Sequence, residues 1–215
     1  MKVGTDALLL GAWCNVEDKA NILEVGCGCG VISLMLAQRN SQSKFFAVDI
    51  DLLSVAEANE NFKNSPWAER LTAKQVDFME LKKTETWDLI VCNPPFFSNA
   101  LESPKDSRNN ARHLVKFDRL LFFRKCQEVT NDNGIITIIV PFEDASSWMN
   151  IAAEFAWFPV STVEVKDTID KPSKRMIIEF GKAQVRLESD TLILKENKAF
   201  SKEYIQMLKE FQIIF

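Results

Sequence analysis

Three glycines on alternate positions, Gly26, Gly28 and Gly30, follow the acidic residue Glu24 and the apolar run that contains it, Asn21-Ile22-Leu23-Glu24-Val25. Glycines at such a point leave bare backbone against which a ligand can lie. The spacing is G-x-G-x-G, not the G-x-G-x-x-G of dinucleotide binders. A carboxylate directly before the loop repels a pyrophosphate and suits a cation. S-adenosylmethionine is such a ligand, with a sulfonium, an amine and no phosphate. Asp49 ends the next apolar run, where an acid hydrogen-bonds ribose hydroxyls. Asp77-Phe78 ends a third run; there the carboxylate accepts from an adenine amino group while Phe78 covers the ring. Each piece alone is as readily a tight turn or a helix cap. In register on three successive strands, they predict a site for S-adenosylmethionine.

A second segment, Asn93-Pro94-Pro95-Phe96, follows the fourth apolar run. Two prolines fix the backbone and remove two N–H donors. What remains is an acceptor-rich edge, the Asn93 side-chain oxygen and the Pro94 carbonyl. An exocyclic amino group of a base or an amide offers two N–H donors and fills both acceptors. Held that way, its nitrogen is pushed toward tetrahedral geometry and its lone pair is freed to attack a sulfonium methyl in line. Charge developing on the nitrogen meets preplaced dipoles. Phe96 supplies a face for the target to stack on. An ordinary Asn-Pro turn beside a core phenylalanine is the bland alternative. The position after a strand, downstream of the glycine loop, favours the chemical one.

The elements that must position these residues alternate in type. Strands are predicted at Asn21–Val25, Lys44–Val48, Leu71–Val76, Thr86–Cys92 and Ile135–Val140, the last after an Asn133-Gly134 turn. Helices are predicted from Ala7, capped by Asp6, to Trp13, and over Val31–Arg39. Further helices follow from the Asp51 cap to Lys63, over Phe117–Thr130 and over Asp144–Phe155. Val160–Val165 and Met176–Phe180 are joined by a gap too short for a crossover helix, so they form an antiparallel return. Thr191–Phe215 reads as one more strand and a terminal helix. The prediction is one α/β domain over residues 1–215. It has a Rossmann-like, mostly parallel, doubly wound sheet, covered on both faces, with an antiparallel late strand. The tryptophans Trp67, Trp87, Trp148 and Trp157 default to core.

Composition narrows the function classes. The chain has 215 residues, 47% hydrophobic and 26% charged, which excludes a disordered or fibrous protein. The longest uncharged run, Val25 to Gln38, is too short and too glycine-broken to span a membrane. Five cysteines with no CxxC pair and a single histidine, His113, argue against a metal site and against His-dependent hydrolysis. The absence of a signal-peptide layout and the odd cysteine count point to reduced thiols in the cytoplasm.

The net charge of -4 hides an asymmetry. Between Pro104 and Lys125 lie Lys105, Arg108, Arg112, Lys116, Arg119, Arg124 and Lys125 against only Asp106 and Asp118. That stretch is +5 and leaves -9 for the remainder. A solvated helix face and a phosphate-contacting surface are equally compatible with the charge alone.

These residues resemble the class I S-adenosylmethionine-dependent methyltransferases that carry an Asn-Pro-Pro-[Phe/Tyr] motif. Several further segments are similar to the bacterial tRNA1(Val) (adenine-37-N6)-methyltransferases. They are Met1-Lys2-Val3-Gly4-Thr5-Asp6, Leu8-Leu9-Leu10-Gly11-Ala12-Trp13, Phe96-Phe97-Ser98-Asn99, Ser103-Pro104, Arg108-x-x-Ala111-Arg112-His113 and the tail from Tyr204 to Phe215. The resemblance spans nearly the whole chain; the opening and the Arg-x-x-Ala-Arg-His stretch are its family-specific parts. It implies a cofactor site at Glu24, Gly26, Gly28, Gly30, Asp49 and Asp77, with Thr5 and Asp6 near the methionine end. It implies Asn93 to Phe96 as target pocket and an RNA surface that includes Lys105, Arg108, Arg112 and His113. The implied partner is tRNA, with no membrane and no metal, and a monomer is favoured. Members of that family usually carry further residues ahead of the Met-Lys-Val-Gly-Thr-Asp segment, so an N-terminal piece is expected to be missing. A glutamine-N5 methyltransferase acting on a release factor offers the same amide chemistry. Such enzymes usually add an N-terminal helical domain, and their target gives no reason for the basic stretch. Ribosomal RNA and DNA amino-methyltransferases also fit the tetrapeptide, but a DNA enzyme lacks room here for a target-recognition domain.

Overall fold

The computed structural model describes residues 3–82, 86–95 and 117–211. Eight strands form one sheet, in the order β3-β2-β1-β4-β5-β7-β6-β8. The strands are β1 Asn21–Val25, β2 Lys44–Asp49, β3 Leu71–Gln75, β4 Trp87–Cys92, β5 Thr130–Pro141, β6 Phe158–Lys166, β7 Ser173–Gly181 and β8 Glu188–Ile193. β1 to β5 pair in parallel, and β7 lies antiparallel between β5 and β6. A small hairpin of β9, Lys195–Glu196, and β10, Ala199–Phe200, precedes the last helix. This is the doubly wound sheet with an antiparallel late strand that the alternation predicted.

The helices are α1 Thr5–Trp13, α2 Val31–Arg39, α3 Leu52–Lys63, α4 Arg119–Val129, α5 Ala145–Glu154 and α6 Lys202–Leu208. Asp51 caps α3 by accepting from Ser54 N at 2.9 Å. Asp118 caps α4 by accepting from Leu120 N and Leu121 N. Asp6 does not cap α1. That helix begins two residues earlier, at Thr5, with Gly4 as its cap, and Asp6 sits in the first turn, paired with Arg175 of β7 at 2.8 Å.

Apolar residues fill a core on each side of the sheet. Leu9, Leu10, Leu36, Phe45, Ala47 and Phe62 belong to one; Leu23, Ile90, Phe122, Phe123, Ile138 and Trp157 belong to the other. β5 is buried from Ile136 to Val140, as a central strand covered on both faces must be. The Asn133-Gly134 signal appears inside β5, where pairing with β4 shifts register between Trp87 and Leu89. Coverage is not complete, however. β2 and β3 pack one face under α2 and α3; on the other face Val48 is buried in the second core and Phe46 is half-buried, but Lys44, Thr72 and Lys74 are exposed.

Candidate active site

β1 and β4 are neighbours, and Val25 pairs with Cys92. Gly26 and Asn93 therefore leave adjacent parallel strands side by side. This is the strand order's switch point, β1 connecting outward through β2 and β4 lying on its other flank, where open α/β sheets bind ligands.

The glycine loop is held by backbone geometry that only glycine adopts cheaply. Gly26, Gly28 and Gly30 have φ of +72°, +52° and +76°. Gly26 N and Cys27 N donate to Val48 O at 2.8 and 3.1 Å. Gly28 N donates to Asp49 Oδ2 at 2.9 Å, and Asn61 Nδ2 donates to Cys29 O at 2.9 Å. The loop is thus tied to β2 and α3. Asn61 is a residue the sequence does not single out, because its role needs the contact with α3. A Cβ on Gly26 would meet nothing within 4 Å, so its backbone faces open space.

Glu24 is 2% exposed. Its Oε2 accepts from Ser33 N at 3.0 Å and from the Ser33 hydroxyl, while Oε1 is buried without a partner. Burial pushes this carboxyl up to about 7, against the lowering effect of the Ser33 hydrogen bonds. An orphaned carboxylate oxygen beside an open glycine backbone fits a cationic ligand with N–H donors, as the amine and sulfonium of S-adenosylmethionine require. Asp49 is half-buried at the end of β2, where it pairs with Gln75 of β3. Asp77 follows two residues later on the same edge and accepts from Met79 N at 2.9 Å.

Phe78 does not offer a ring to a ligand. It is 4% exposed and packs on Phe122 with centroids 5.5 Å apart. The second core claims it because the short 3-10 turn Phe78–Glu80 points its side chain toward α4. Thr5 is exposed, and Asp6 is engaged by Arg175.

Asn93 is half-buried, and its Oδ1 is buried without a hydrogen-bond partner. Pro94 and Pro95 then line a cleft of about 450 Å³ whose other walls include Phe117, Pro141 and Trp148. Phe117 packs on Phe122 and Trp148 at 5.3 and 5.9 Å. The Arg119 guanidinium lies 4.9 Å from the Trp148 ring centre, held by Asp144 at 3.2 Å and Ser147 at 3.1 Å. Nothing in the sequence marks these wall residues as a group, since they come from the start of α4, the end of β5 and α5 and meet only in the fold. The cleft is mainly apolar and its charged members, Asp118, Arg119 and Asp144, do not add up to a positive site. It suits the flat face of a base better than a phosphate. Phe96, Lys105, Arg108, Arg112 and His113 lie outside the described residues. Among the described residues, no cluster of three or more His, Cys, Asp or Glu is arranged to hold a metal, and no helix is long and apolar enough to cross a membrane.

The family model "Methyltransferase small domain" matches residues 2–116. A protein of Aliivibrio salmonicida named tRNA1(Val) (adenine(37)-N6)-methyltransferase is 35% identical over 99% of this chain and 91% of its own length. The protein of the same name from Flavobacterium psychrophilum is 35% identical over 99% and 93%. The chain belongs to the tRNA1(Val) (adenine(37)-N6)-methyltransferase family. Solved structures agree on the fold. A predicted O-methyltransferase, Atu636 from Agrobacterium tumefaciens, superposes with a TM-score of 0.74 at 15% identity, covering 95% of this chain and 96% of that one. A TehB-like S-adenosylmethionine-dependent methyltransferase from Corynebacterium glutamicum gives 0.57 at 17% identity, covering 85% and 89%. The fold is therefore that of class I methyltransferases.

Proposed function

We propose that this protein methylates N6 of an adenine in a tRNA anticodon loop, A37 of tRNA1(Val), with S-adenosylmethionine as donor. The observation that carries the reading is Asn93 Oδ1, a buried acceptor without a partner, at the end of the strand beside the glycine loop and directly before Pro94 and Pro95, which line an apolar cleft. Leaving a buried acceptor unpaired costs about 1–3 kcal/mol, which an incoming amino group recovers. The relatives' shared name points to the same amino group.

The cofactor supplies an electrophilic methyl group on a sulfonium. Gly26, Gly28 and Gly30 provide the backbone it lies on, Glu24 faces its positive charge, and Asp49 and Asp77 take the ribose and adenine ends. Thr5 and Asp6 stand at the methionine end in this reading. Asn93 Oδ1 and the Pro94 carbonyl accept the two N6 hydrogens, which localises the nitrogen lone pair and orients it. Charge that develops on N6 meets those fixed dipoles, and the extra proton leaves to solvent after transfer. Phe96 stacks on the base, and the Phe117–Trp148 wall shields the cleft from water. Lys105, Arg108, Arg112 and His113 take the phosphates around the loop. A loop base is already partly unstacked, so extruding it costs little. The cytoplasm, where tRNA is modified in bacteria, is the compartment this reading requires.

The test uses the protein, methyl-labelled S-adenosylmethionine, unmodified tRNA and, in parallel, a release factor, followed by nucleoside and amino-acid separation and mass analysis. N6-methyladenosine mapped to position 37 is expected. Label in a release-factor glutamine and none in RNA overturns the reading.

A further inference from the structure

The uncovered face of β2 and β3 is the strongest feature outside the cleft. The connector from β3 to β4, residues 76–86, is one residue short of the dozen that a parallel crossover normally needs for its helix. Its described part carries only the 3-10 turn Phe78–Glu80. Strand alternation sends Phe45, Ala47, Leu71 and Ala73 into the core under α2 and α3. The opposite face, bearing Lys44, Phe46, Thr72 and Lys74, is left as a groove of about 580 Å³ that Lys82 and Trp87 also line.

The chemistry of this groove is specific. Phe46 and Trp87 stack, with centroids 5.6 Å apart and planes 13° from parallel. Lys74 Nζ lies 5.4 Å from the Phe46 ring centre. Lys44, Lys74 and Lys82 are exposed around this pair. Glu69 and Glu80 also border the groove. Arg70 borders it too, but its guanidinium is committed to the carbonyls of Ala37, Asn40 and Ser43. Phe46 is half-buried over the buried Trp87, and this apolar floor with flexible cations around it forms the kind of surface along which a sugar-phosphate strand lies. Outside the stretch from Pro104 to Lys125 the chain is net negative, so three lysines on one face are a local departure. The groove is also continuous with the active-site edge. Val76, which lines it, immediately precedes Asp77. Its far end at Lys44 lies five residues back along β2 from Asp49, about 17 Å at the usual strand rise.

We propose that this groove is a second RNA-contact surface, which takes the sugar-phosphate backbone of the tRNA away from the target nucleotide. Lys44, Lys74 and Lys82 neutralise phosphates while the Phe46–Trp87 pair supplies the floor. This rests on the tRNA reading above.

The test is the charge reversal Lys44→Glu with Lys74→Glu in the full chain, assayed for methylation of tRNA over a range of salt. Loss of two phosphate contacts is expected to raise KM for tRNA about tenfold and to reduce the magnitude of the slope of log affinity against log salt by roughly 1.4 to 1.8. kcat and S-adenosylmethionine affinity stay as in the wild type, and Lys44→Gln with Lys74→Gln gives a smaller rise in KM. An unchanged KM and salt slope overturns the proposal and leaves the face to a protein partner or to solvent. A fall in kcat at constant KM overturns it too, since that reports a disturbed active site. Wild-type protein that labels no tRNA overturns the substrate reading and this proposal with it. Wild-type activity with an indifferent variant overturns this proposal alone.

Discussion

The Asp49 carboxylate bridges two elements: Oδ2 accepts from Gly28 N at 2.9 Å and Oδ1 accepts from Asp51 N at 3.0 Å. One side chain thereby fixes the glycine loop that follows β1 and the turn into α3. A residue that reads in sequence only as a ribose partner is also a strut of the ligand-free site. Asp49→Ala leaves the buried Gly28 N–H unpaired, at about 1–3 kcal/mol. The variant is expected to melt at lower temperature without ligand and to bind S-adenosylmethionine at least about tenfold more weakly, a loss of roughly 1.4 kcal/mol or more. Asp49→Asn keeps one acceptor oxygen and recovers part of both. Thermal melts with and without ligand, beside calorimetric titration, measure the two effects. A ligand-free melt identical to wild type would remove the strut role.

Two glycines of the loop are glycine for different reasons. At Gly30 a Cβ would stand 2.5 Å from Phe62 Cε1 and 2.7 Å from Cζ, against a ring that is 2% exposed and cannot move away. Gly30→Ala adds overpacking of about 1–3 kcal/mol to a left-handed backbone cost of about 1–2. At Gly26 the same φ penalty applies, but the methyl group enters open space. Gly26→Ala is therefore expected to lose about 1–2 kcal/mol of stability and most of its S-adenosylmethionine affinity, because the methyl occupies the ligand's side of the loop. Gly30→Ala is expected to be the much less stable protein. Denaturant unfolding and ligand titration on both variants give the ranking, and the reverse order in stability would contradict it.

The loop and Asn93 are legible in sequence because their chemistry is local: alternate glycines, an acid two residues before them, two prolines fixing one acceptor edge. The strand order is legible for the same reason, apolar runs separated by amphipathic ones. What stays hidden depends on partners far apart in the chain. The pair Asp6–Arg175 joins residues 169 positions apart, and it turns an expected cap into an ion pair. Arg119 braces Trp148 across α4 and α5, so a tryptophan assigned by default to the core also forms a cleft wall. Phe78 sits where a ring could cover a ligand, yet its burial against Phe122 is set by α4. The open face of β2 and β3 has a sequence signal in the short 76–86 connector, but alternating apolar strands suggest two covered faces wherever helices alternate with them.

In the proposed site, Glu24 is expected to make cofactor binding pH-dependent. Burial raises its carboxyl to about 7, from an ordinary value of 4.5, so much of it is neutral in ligand-free protein at neutral pH. A cationic ligand favours the ionised form. S-adenosylmethionine affinity is therefore expected to rise as pH increases through about 7, with close to one proton released on binding below that point. The same group works the other way on ligand-free stability. A carboxyl raised on folding penalises the folded state increasingly as pH climbs from its unfolded value near 4.5 to about 7, and by a constant amount above. Glu24→Gln removes both trends and weakens binding at pH 8 more than at pH 6. Titration calorimetry in buffers of different ionisation enthalpy counts the proton, and a Kd flat from pH 6 to 8.5 in the wild type sinks the assignment.

Asn93 separates catalysis from folding. Its Oδ1 is buried without a partner, so in ligand-free protein it is a cost rather than a support. Asn93→Ala removes that buried acceptor, and the ligand-free variant is expected to melt no lower than the wild type. In the proposed mechanism the same change deletes the preplaced acceptor for the target amino group. Turnover is expected to fall about 100-fold or more, the usual effect of losing one preorganised polar group. S-adenosylmethionine affinity changes little, because the glycine loop is held by Val48, Asp49 and Asn61 and not by Asn93. Single-turnover methylation of tRNA, a thermal melt and a ligand titration on one preparation test all three. An Asn that merely shapes an Asn-Pro turn predicts the reverse pattern, a lower melt with turnover kept. That result would move the target pocket away from the end of β4.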